Sequence, residues 1–223
     1  MNKALCYKEW LKVRTCYLCM VALVAAMTAY CLLRIARVIA IKDVSHLWDL
    51  MISRDMVFTE AMQYVFPAVG LAVAIAQFLP EVGQKRLKLT LHLPVSHLRT
   101  ILIMLGFGTG LLVALFALSA ATLGVFTREW LAPELVGRIL LTLLPWHLGG
   151  LAAYYLGAWI LTEPTRRLKI LGVLLGAAVL RVYYLSDAPE SYNGFLPALT
   201  VITLSLSSLT ALSVQRFKAG AQD

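Results

Sequence analysis

The stretch TILIMLGFGTGLLVALFALSAATLGVFT occupies residues 100–127 and contains no Asp, Glu, Lys or Arg in its 28 positions. The hydrocarbon core of a bilayer is about 30 Å thick, and a helix of about 20 apolar residues crosses it. A backbone that lies in lipid must satisfy its hydrogen bonds internally, which a helix does and an isolated strand does not. The stretch therefore predicts a transmembrane α-helix.

Other uncharged runs of comparable length lie on both sides of it. A shorter apolar run, residues 170–186, is interrupted by Arg181. It either crosses the bilayer with Arg181 reaching an interface, or enters the bilayer and turns back. We predict a single transmembrane domain, residues 1–223, that is all-α and polytopic. Its six spans are predicted at about 15–41, 57–80, 100–127, 139–162, 168–186 and 195–215.

The composition agrees with a membrane protein. Apolar residues make up 60% of the 223 residues and charged residues 14%, against about 45–50% and 25% in soluble domains. The mean hydropathy is +0.78. These values exclude a disordered chain and argue against a soluble nucleotide-binding enzyme.

The charge distribution predicts the orientation. The net charge is +8, which we assign to helix ends held against anionic lipid rather than to nucleic-acid binding. With six spans, 13 basic residues fall on the side of the termini and 7 on the other side. This predicts a multi-pass protein of the inner membrane with both termini in the cytoplasm. The first external segment opposes the trend, because it carries Arg34, Arg37, Lys42 and Arg54.

The N-terminal segment, residues 3–14, is amphipathic as a helix. Tyr7 and Leu11 share one face, while Lys8, Glu9 and Lys12 lie opposite. A basic amphipathic helix with aromatic residues is typical of the headgroup layer. We predict an interfacial helix, with a frayed lysine-bearing tail as the alternative.

The second cytoplasmic connection reads EVGQKRLKLTLHLPVSH over residues 81–97. A helix that begins at Glu81 places Lys85, Lys88 and His92 on the same face as that carboxylate. The leucines of this stretch alternate, which is typical of a strand, but no second strand is visible to pair with it. We therefore predict a short helix that Pro94 ends.

A glutamate followed by a basic, leucine-rich stretch that ends in Leu-Pro-Val-Ser resembles the permease subunits of ABC-2 type ABC transporters. The six spans and the N-terminal interfacial helix match the layout of that family. The resemblance implies that the 81–97 connection is a coupling helix which docks on a separate ATP-binding subunit. The residues expected at that contact are Glu81, Lys85, Arg86, Lys88 and His92.

The same resemblance implies a permease, most simply an exporter, that pairs with itself or with a second permease chain. This chain would bind no cofactor and catalyse no reaction, since ATP and Mg²⁺ would belong to the partner subunit. Many relatives carry a helical hairpin between spans five and six, and residues 187–194 leave little room for one. The alternative is a non-transporting membrane scaffold or assembly subunit, and a third reading is an intramembrane enzyme.

Few polar groups lie at membrane depth. Glu60 and Gln63 open span two, near Arg34 and Arg37 at the end of span one, so Glu60 could form an ion pair with either arginine. Charged groups in a membrane pair with one another or mark a pathway, and both alternatives stay open here. His147 is expected to be a packing residue. An enzyme would need Glu60, His147 and Arg181 close together.

Small residues recur every four positions in three predicted spans. Such rows let helix backbones approach closely in lipid, either within one subunit or at a dimer seam. Cys16 and Cys19 form an isolated C-x-x-C without a second pair, and we expect them to be packing residues. The three rows are Gly106 and Gly110; Gly149, Ala153 and Gly157; and Gly172 and Gly176.

Overall fold

The structure, a computed structural model, describes residues 2–83, 97–186 and 188–218. Every regular element in these ranges is helical, which confirms the all-α prediction. A 3₁₀ turn, Glu60–Met62, precedes the second helix. The helices are α1 (Asn2–Ser53), α2 (Val65–Gly83), α3 (His97–Thr127), α4 (Pro133–Thr162), α5 (Arg166–Val182), α6 (Leu196–Ser205) and α7 (Ser207–Lys218).

Five helical segments are long and apolar enough to cross a bilayer, so the chain is a multi-pass membrane protein. They coincide with the predicted spans one to four and six. The fifth predicted span corresponds to α5, which has 17 residues and is not among the five. The five segments are Lys3–Ser53, Glu60–Gly83, Leu98–Thr127, Pro133–Thr162 and Leu196–Arg216.

Helix α4 lies at the centre of the bundle and contacts α2, α3, α5, α6 and α7. It runs parallel to α2, since Phe66 at the start of α2 meets His147 midway along α4, and Phe78 meets Tyr154 further along both helices. The ends of α2 and α4 therefore lie together, and the first turns of α1 and the last turns of α7 pack there too. We call this the terminal end of the bundle.

The closest approach between α2 and α4 occurs at two glycines. A Cβ atom added to Gly70 would lie 1.9 Å from the carbonyl oxygen of Gly150. Only glycine lets two helix backbones meet at this distance, and such contacts replace the missing hydrophobic driving force in lipid. The α2–α4 pair is thus the densest interface in the described chain, and neither glycine belongs to a row singled out from the sequence.

Two of the predicted small-residue rows pack inside the subunit. Gly172 and Gly176 of α5 face Ile160 and Leu156 of α4, and Gly157 faces Leu71 and Ala74 of α2. Around Gly106 and Gly110, by contrast, the described chain places no atom within 4 Å of where a Cβ would lie. Only this third row is left open on the surface of the subunit.

Helix α1 differs from the predicted separate interfacial helix. The N-terminal segment is helical, but it continues into the first span without a break, and Glu9 and Val13 are buried against the bundle. Glu9 and Lys12 of this segment find polar and charged partners on α2.

The first interruption of α1 is at Asp43, whose φ of 76° and ψ of 163° are non-helical. Residues other than glycine are strained in this region of backbone conformation, by about 1–3 kcal/mol. The break divides α1 into a long arm, residues 2–42, and a short arm, residues 44–53. The short arm is held to the bundle by Arg138, which donates to the Met51 carbonyl at 2.7 Å and forms an ion pair with Asp55.

Helix α5 runs antiparallel to α4 and ends before the bundle does. Its C-terminal neighbours Tyr183 and Tyr184 pack near Gly149. The turns that follow reach the level of Thr142, where the Glu190 N–H donates to the Thr142 hydroxyl at 3.3 Å. Residues 142–162 of α4 cover about 30 Å. The segment from α5 to α6 therefore follows about one bilayer thickness of α4, although only its first part is helical.

The α2–α4 contact can be tested with Gly70→Ala. The new methyl group collides with the Gly150 backbone, which cannot rotate away, so we expect the free energy of unfolding to fall by about 1–3 kcal/mol. Thermal unfolding of the purified chain in detergent measures this change. Gly110→Ala is the matched control and should leave the midpoint unchanged or slightly higher, since nothing surrounds that position. Equal midpoints for both variants would contradict the packing described.

Candidate functional site

A cluster of buried charges lies at the terminal end, where α2 stops. The Glu81 side chain is fully buried, and its Oε1 accepts from the Lys8 and Lys12 ammonium groups at 2.9 Å each. Lys12 also pairs with Glu9 at 2.6 Å. Helix geometry explains the arrangement, because Lys8 and Lys12 are one turn apart and present both ammonium groups to one carboxylate.

The amide of Gln77, one turn before Glu81, extends this cluster into the bundle. Its Nε2 donates to Glu9 Oε2 at 2.9 Å and to the Met104 carbonyl at 2.8 Å. Its Oε1 accepts from the Tyr154 hydroxyl at 2.8 Å. Gln77 is 0% exposed, and each of its polar atoms has a partner. We call Lys8, Glu9, Lys12, Gln77, Glu81 and Tyr154 the terminal network.

The terminal network is electrically neutral, with two ammonium groups and two carboxylates. A buried charge without a partner costs several kcal/mol, so the four charges stabilise one another only as a set. Its side chains come from α1, α2 and α4, and the Met104 carbonyl adds α3. Four helices are therefore joined by polar contacts at the end of the bundle from which the 84–96 connection departs.

Space for the network comes from Gly108. A Cβ at this position would lie 2.2 Å from the Tyr154 hydroxyl and 2.7 Å from Gln77 Oε1. Gly108 is the middle glycine of the GFGTG stretch in α3, between the two glycines that face open space. The missing side chain of Gly108 leaves room for Tyr154 and Gln77 between α2, α3 and α4.

Sequence reasoning found Glu81 but missed Gln77, Tyr154 and Gly108. A signal existed for Gln77, because it is an amide deep inside the uncharged run of residues 61–80, whose other amide, Gln63, lies near the start, and an amide at that depth needs partners. No comparable signal exists for Tyr154, which resembles any aromatic residue of a buried helix.

The predicted ATPase-contact residues Lys85, Arg86, Lys88 and His92 lie outside the described residues. Glu81 lies inside them, and its carboxylate faces the chain's own Lys8 and Lys12. It is therefore placed to hold the start of the connection on the bundle. That this connection contacts an ATPase stays a prediction.

The predicted polar residues of the membrane region do not form one site. In the described chain Glu60 is exposed and forms no ion pair with Arg34 or Arg37, and Arg181 is exposed on the last turn of α5. Gln63, three residues after Glu60, is buried. His147 packs between Phe66 and Phe116, with ring centroids 4.3 and 5.3 Å away, and its buried Nε2 has no hydrogen-bond partner among the described residues.

These positions bear on the alternatives drawn from the sequence. In the described chain no hydrogen bond or ion pair joins Glu60, His147 and Arg181. The described chain therefore does not join the three residues considered for an intramembrane enzyme by direct polar contacts.

A second buried glutamate ends α4 at the same end of the bundle. The Glu163 side chain is 1% exposed, accepts a hydrogen bond from Ser213, and lies 3.6 Å from the Arg216 guanidinium. Both α2 and α4 therefore end in a buried carboxylate that holds one of the terminal helices, α1 in the first case and α7 in the second.

No family model, no curated protein and no solved structure matches the chain. The likeness to ABC-2 permeases therefore stays a prediction, carried by residues 81–96 and by the arrangement of the spans.

The terminal network is tested with Glu81→Gln. The substitution leaves an excess positive charge beside Lys12 in a buried site, so we expect the unfolding free energy to fall by about 3 kcal/mol. Adding Lys12→Gln restores neutrality and should recover part of this loss. Thermal unfolding in detergent reports both values. Glu129→Gln, at an exposed position, is the control. Additive losses in the double variant would mean that the two charges do not interact.

Proposed function

We propose that this chain is the transmembrane permease subunit of an ATP-driven ABC transporter, and that it works as an exporter. It would pair with a second permease chain, and separate ATP-binding subunits would dock on the 81–97 connection. The observation that carries the proposal is the terminal network, which attaches the start of that connection to four helices.

The network supports coupling for a mechanical reason. A connection pushed by a moving ATPase tilts the bundle only if its base is rigidly joined to the helices. Glu81 is the third residue from the end of α2 and forms ion pairs with two successive turns of α1. Well-packed polar networks with two arrangements are a means by which motion passes between sites. Displacement of the connection would then move α1 and α2 together.

The bundle layout supports the permease in a second way. The first turns of α1, the last turns of α7 and the end of α2 lie together at one end, as an even number of crossings would place them. The segment from α5 to α6 follows about one bilayer thickness of α4, as a fifth crossing would. We propose six crossings on this basis, with the terminal end in the cytoplasm of a cell whose inner membrane holds the protein.

Docking on an ATPase is tested with Lys85→Glu and Lys88→Glu. The full chain is affinity-purified from its native membrane in mild detergent, and copurifying proteins are identified by mass spectrometry. We expect an ATP-binding subunit with wild-type chain, and at least tenfold less of it with the double charge reversal, because two favourable charge contacts become repulsive. ATP hydrolysis by the purified complex should fall in parallel.

The control for this experiment is Arg128→Glu, an exposed charge reversal at the opposite end of the bundle. It should leave both the copurified ATPase and its hydrolysis unchanged. Glu81→Ala is less suitable as a docking variant, since it disrupts the terminal network. If the wild-type chain brings down a stable membrane complex without any ATP-binding protein, the scaffold alternative is favoured and the permease is not.

The proposed orientation has its own test. Alkaline phosphatase is active only outside the cytoplasm, so a fusion inserted after Arg128 should be active. A fusion to the C-terminus should be inactive, and a green fluorescent protein in its place should fluoresce. The reverse pattern would place the terminal end outside the cytoplasm.

A further inference from the structure

A second charged site lies at the opposite end of the bundle, where α1 breaks. The long arm and the short arm of α1 meet at Asp43 and enclose an open pocket of about 480 Å³. Arg34, Arg37 and Lys42 line it from the long arm, and His46 and Leu50 line it from the short arm. Phe58, from the segment that leads to α2, contributes an apolar wall.

Three of the side chains that line the pocket are cationic, and none of its lining residues is acidic. Among the ion pairs of the described residues, none involves Arg34, Arg37 or Lys42. The carboxylates of Asp43, Asp49 and Asp55 have partners other than these three cations. Asp43 accepts from the Val44 N–H at 2.8 Å, Asp49 accepts from the Ser53 hydroxyl at 2.7 Å, and Asp55 pairs with Arg138.

The length of α1 indicates where the pocket lies along the membrane normal. Arg14 and Arg34 bound the uncharged run of the first span, and the 20 residues from one to the other cover about 30 Å of helix. This equals the thickness of the hydrocarbon core. Arg34 therefore lies at the boundary between hydrocarbon and headgroups, and Arg37 and Lys42 lie in the headgroup layer.

The backbone at Asp43 gives the pocket its shape. Its φ of 76° is unfavourable for any residue with a Cβ atom, and such strain concentrates at functional sites. The strained residue turns the short arm back toward Arg34, while Leu47 and Met51 of that arm are buried in the bundle. Without this turn His46 and Leu50 would not face the arginines.

We infer that this pocket binds the phosphate of an anionic phospholipid. Guanidinium groups form paired hydrogen bonds with phosphate oxygens, and three cations without an ion-pair partner in the described chain favour a ligand with net negative charge. The apolar wall at the hydrocarbon boundary suits the upper part of an acyl chain, which inorganic phosphate lacks. The site also accounts for the basic residues of the first external segment, which oppose the charge bias that predicts the orientation.

The inference is tested on the full chain purified in mild detergent. Native mass spectrometry counts the lipids retained after addition of phosphatidylglycerol or phosphatidylcholine, two lipids of similar size that differ in net charge. We expect preferential retention of phosphatidylglycerol by the wild-type chain. The variant Arg34→Gln/Arg37→Gln should reduce that retention by about tenfold, since each basic residue near a membrane surface contributes to anionic-lipid binding.

The matched control is Arg54→Gln/Arg128→Gln, which removes the same charge from exposed positions at the same end of the bundle but outside the pocket. It should retain phosphatidylglycerol as the wild-type chain does. The single variant Arg37→Gln alters an exposed side chain and serves if the double variant has a lowered thermal midpoint. It should show a smaller loss of the same kind.

Two outcomes would overturn the inference. One is equal retention of the two lipids by the wild-type chain, or equal loss in the pocket variant and in the control. The other is displacement of phosphatidylglycerol by inorganic phosphate at equal concentration, which would show that a free anion, rather than a lipid, is the ligand. Failure of either kind leaves the proposed ATPase contact untouched, because that contact lies at the other end of the bundle.

Discussion

The need to neutralise charge in a medium that solvates it poorly governs the terminal end of this protein. Glu81 and Glu9 are both removed from water, and each is paired there with lysines of α1: Glu81 with Lys8 and Lys12, and Glu9 with Lys12. Because the lysines belong to α1 and Glu81 to α2, the requirement for neutrality brings the first two helices together. Gln77 links these two helices to α3 and α4, because its amide is hydrogen-bonded to the Met104 carbonyl and the Tyr154 hydroxyl.

A second constraint, backbone proximity, operates midway along the same helices. Gly70 and Gly150 allow α2 and α4 to meet at a distance that no side chain would tolerate. Electrostatics at one end and close packing near the middle thus act on the same pair of helices. The pair forms a rigid unit on which the terminal helices α1 and α7 are fastened by Glu81 and Glu163. A movement imposed on the 84–96 connection would reach this unit first.

The two ends of the bundle have different chemistry. At the terminal end the charges are paired and most of them are buried, so they hold the helices together. At the opposite end the pocket between the two arms of α1 keeps three cations without internal partners in the described chain. One end is suited to hold a structure together, and the other is suited to attract an anion from the membrane.

Helical class, membrane location and most spans follow from the sequence alone, because the bilayer demands long uncharged helices and such runs are visible one residue at a time. The tertiary structure decided which residues meet. Glu81 was recognised in the sequence, but its partners on α1 lie about 70 positions away, and helical periodicity cannot report contacts at that separation. The sequence also suggested a separate N-terminal helix at the membrane surface. It shows that Lys12 is polar, but it does not show that a carboxylate of α2 lies beside Lys12. The sequence likewise shows His147, Glu60 and Arg181 only as polar residues of predicted spans. In the structure His147 is buried and the other two are exposed, because burial depends on the neighbours that the fold supplies.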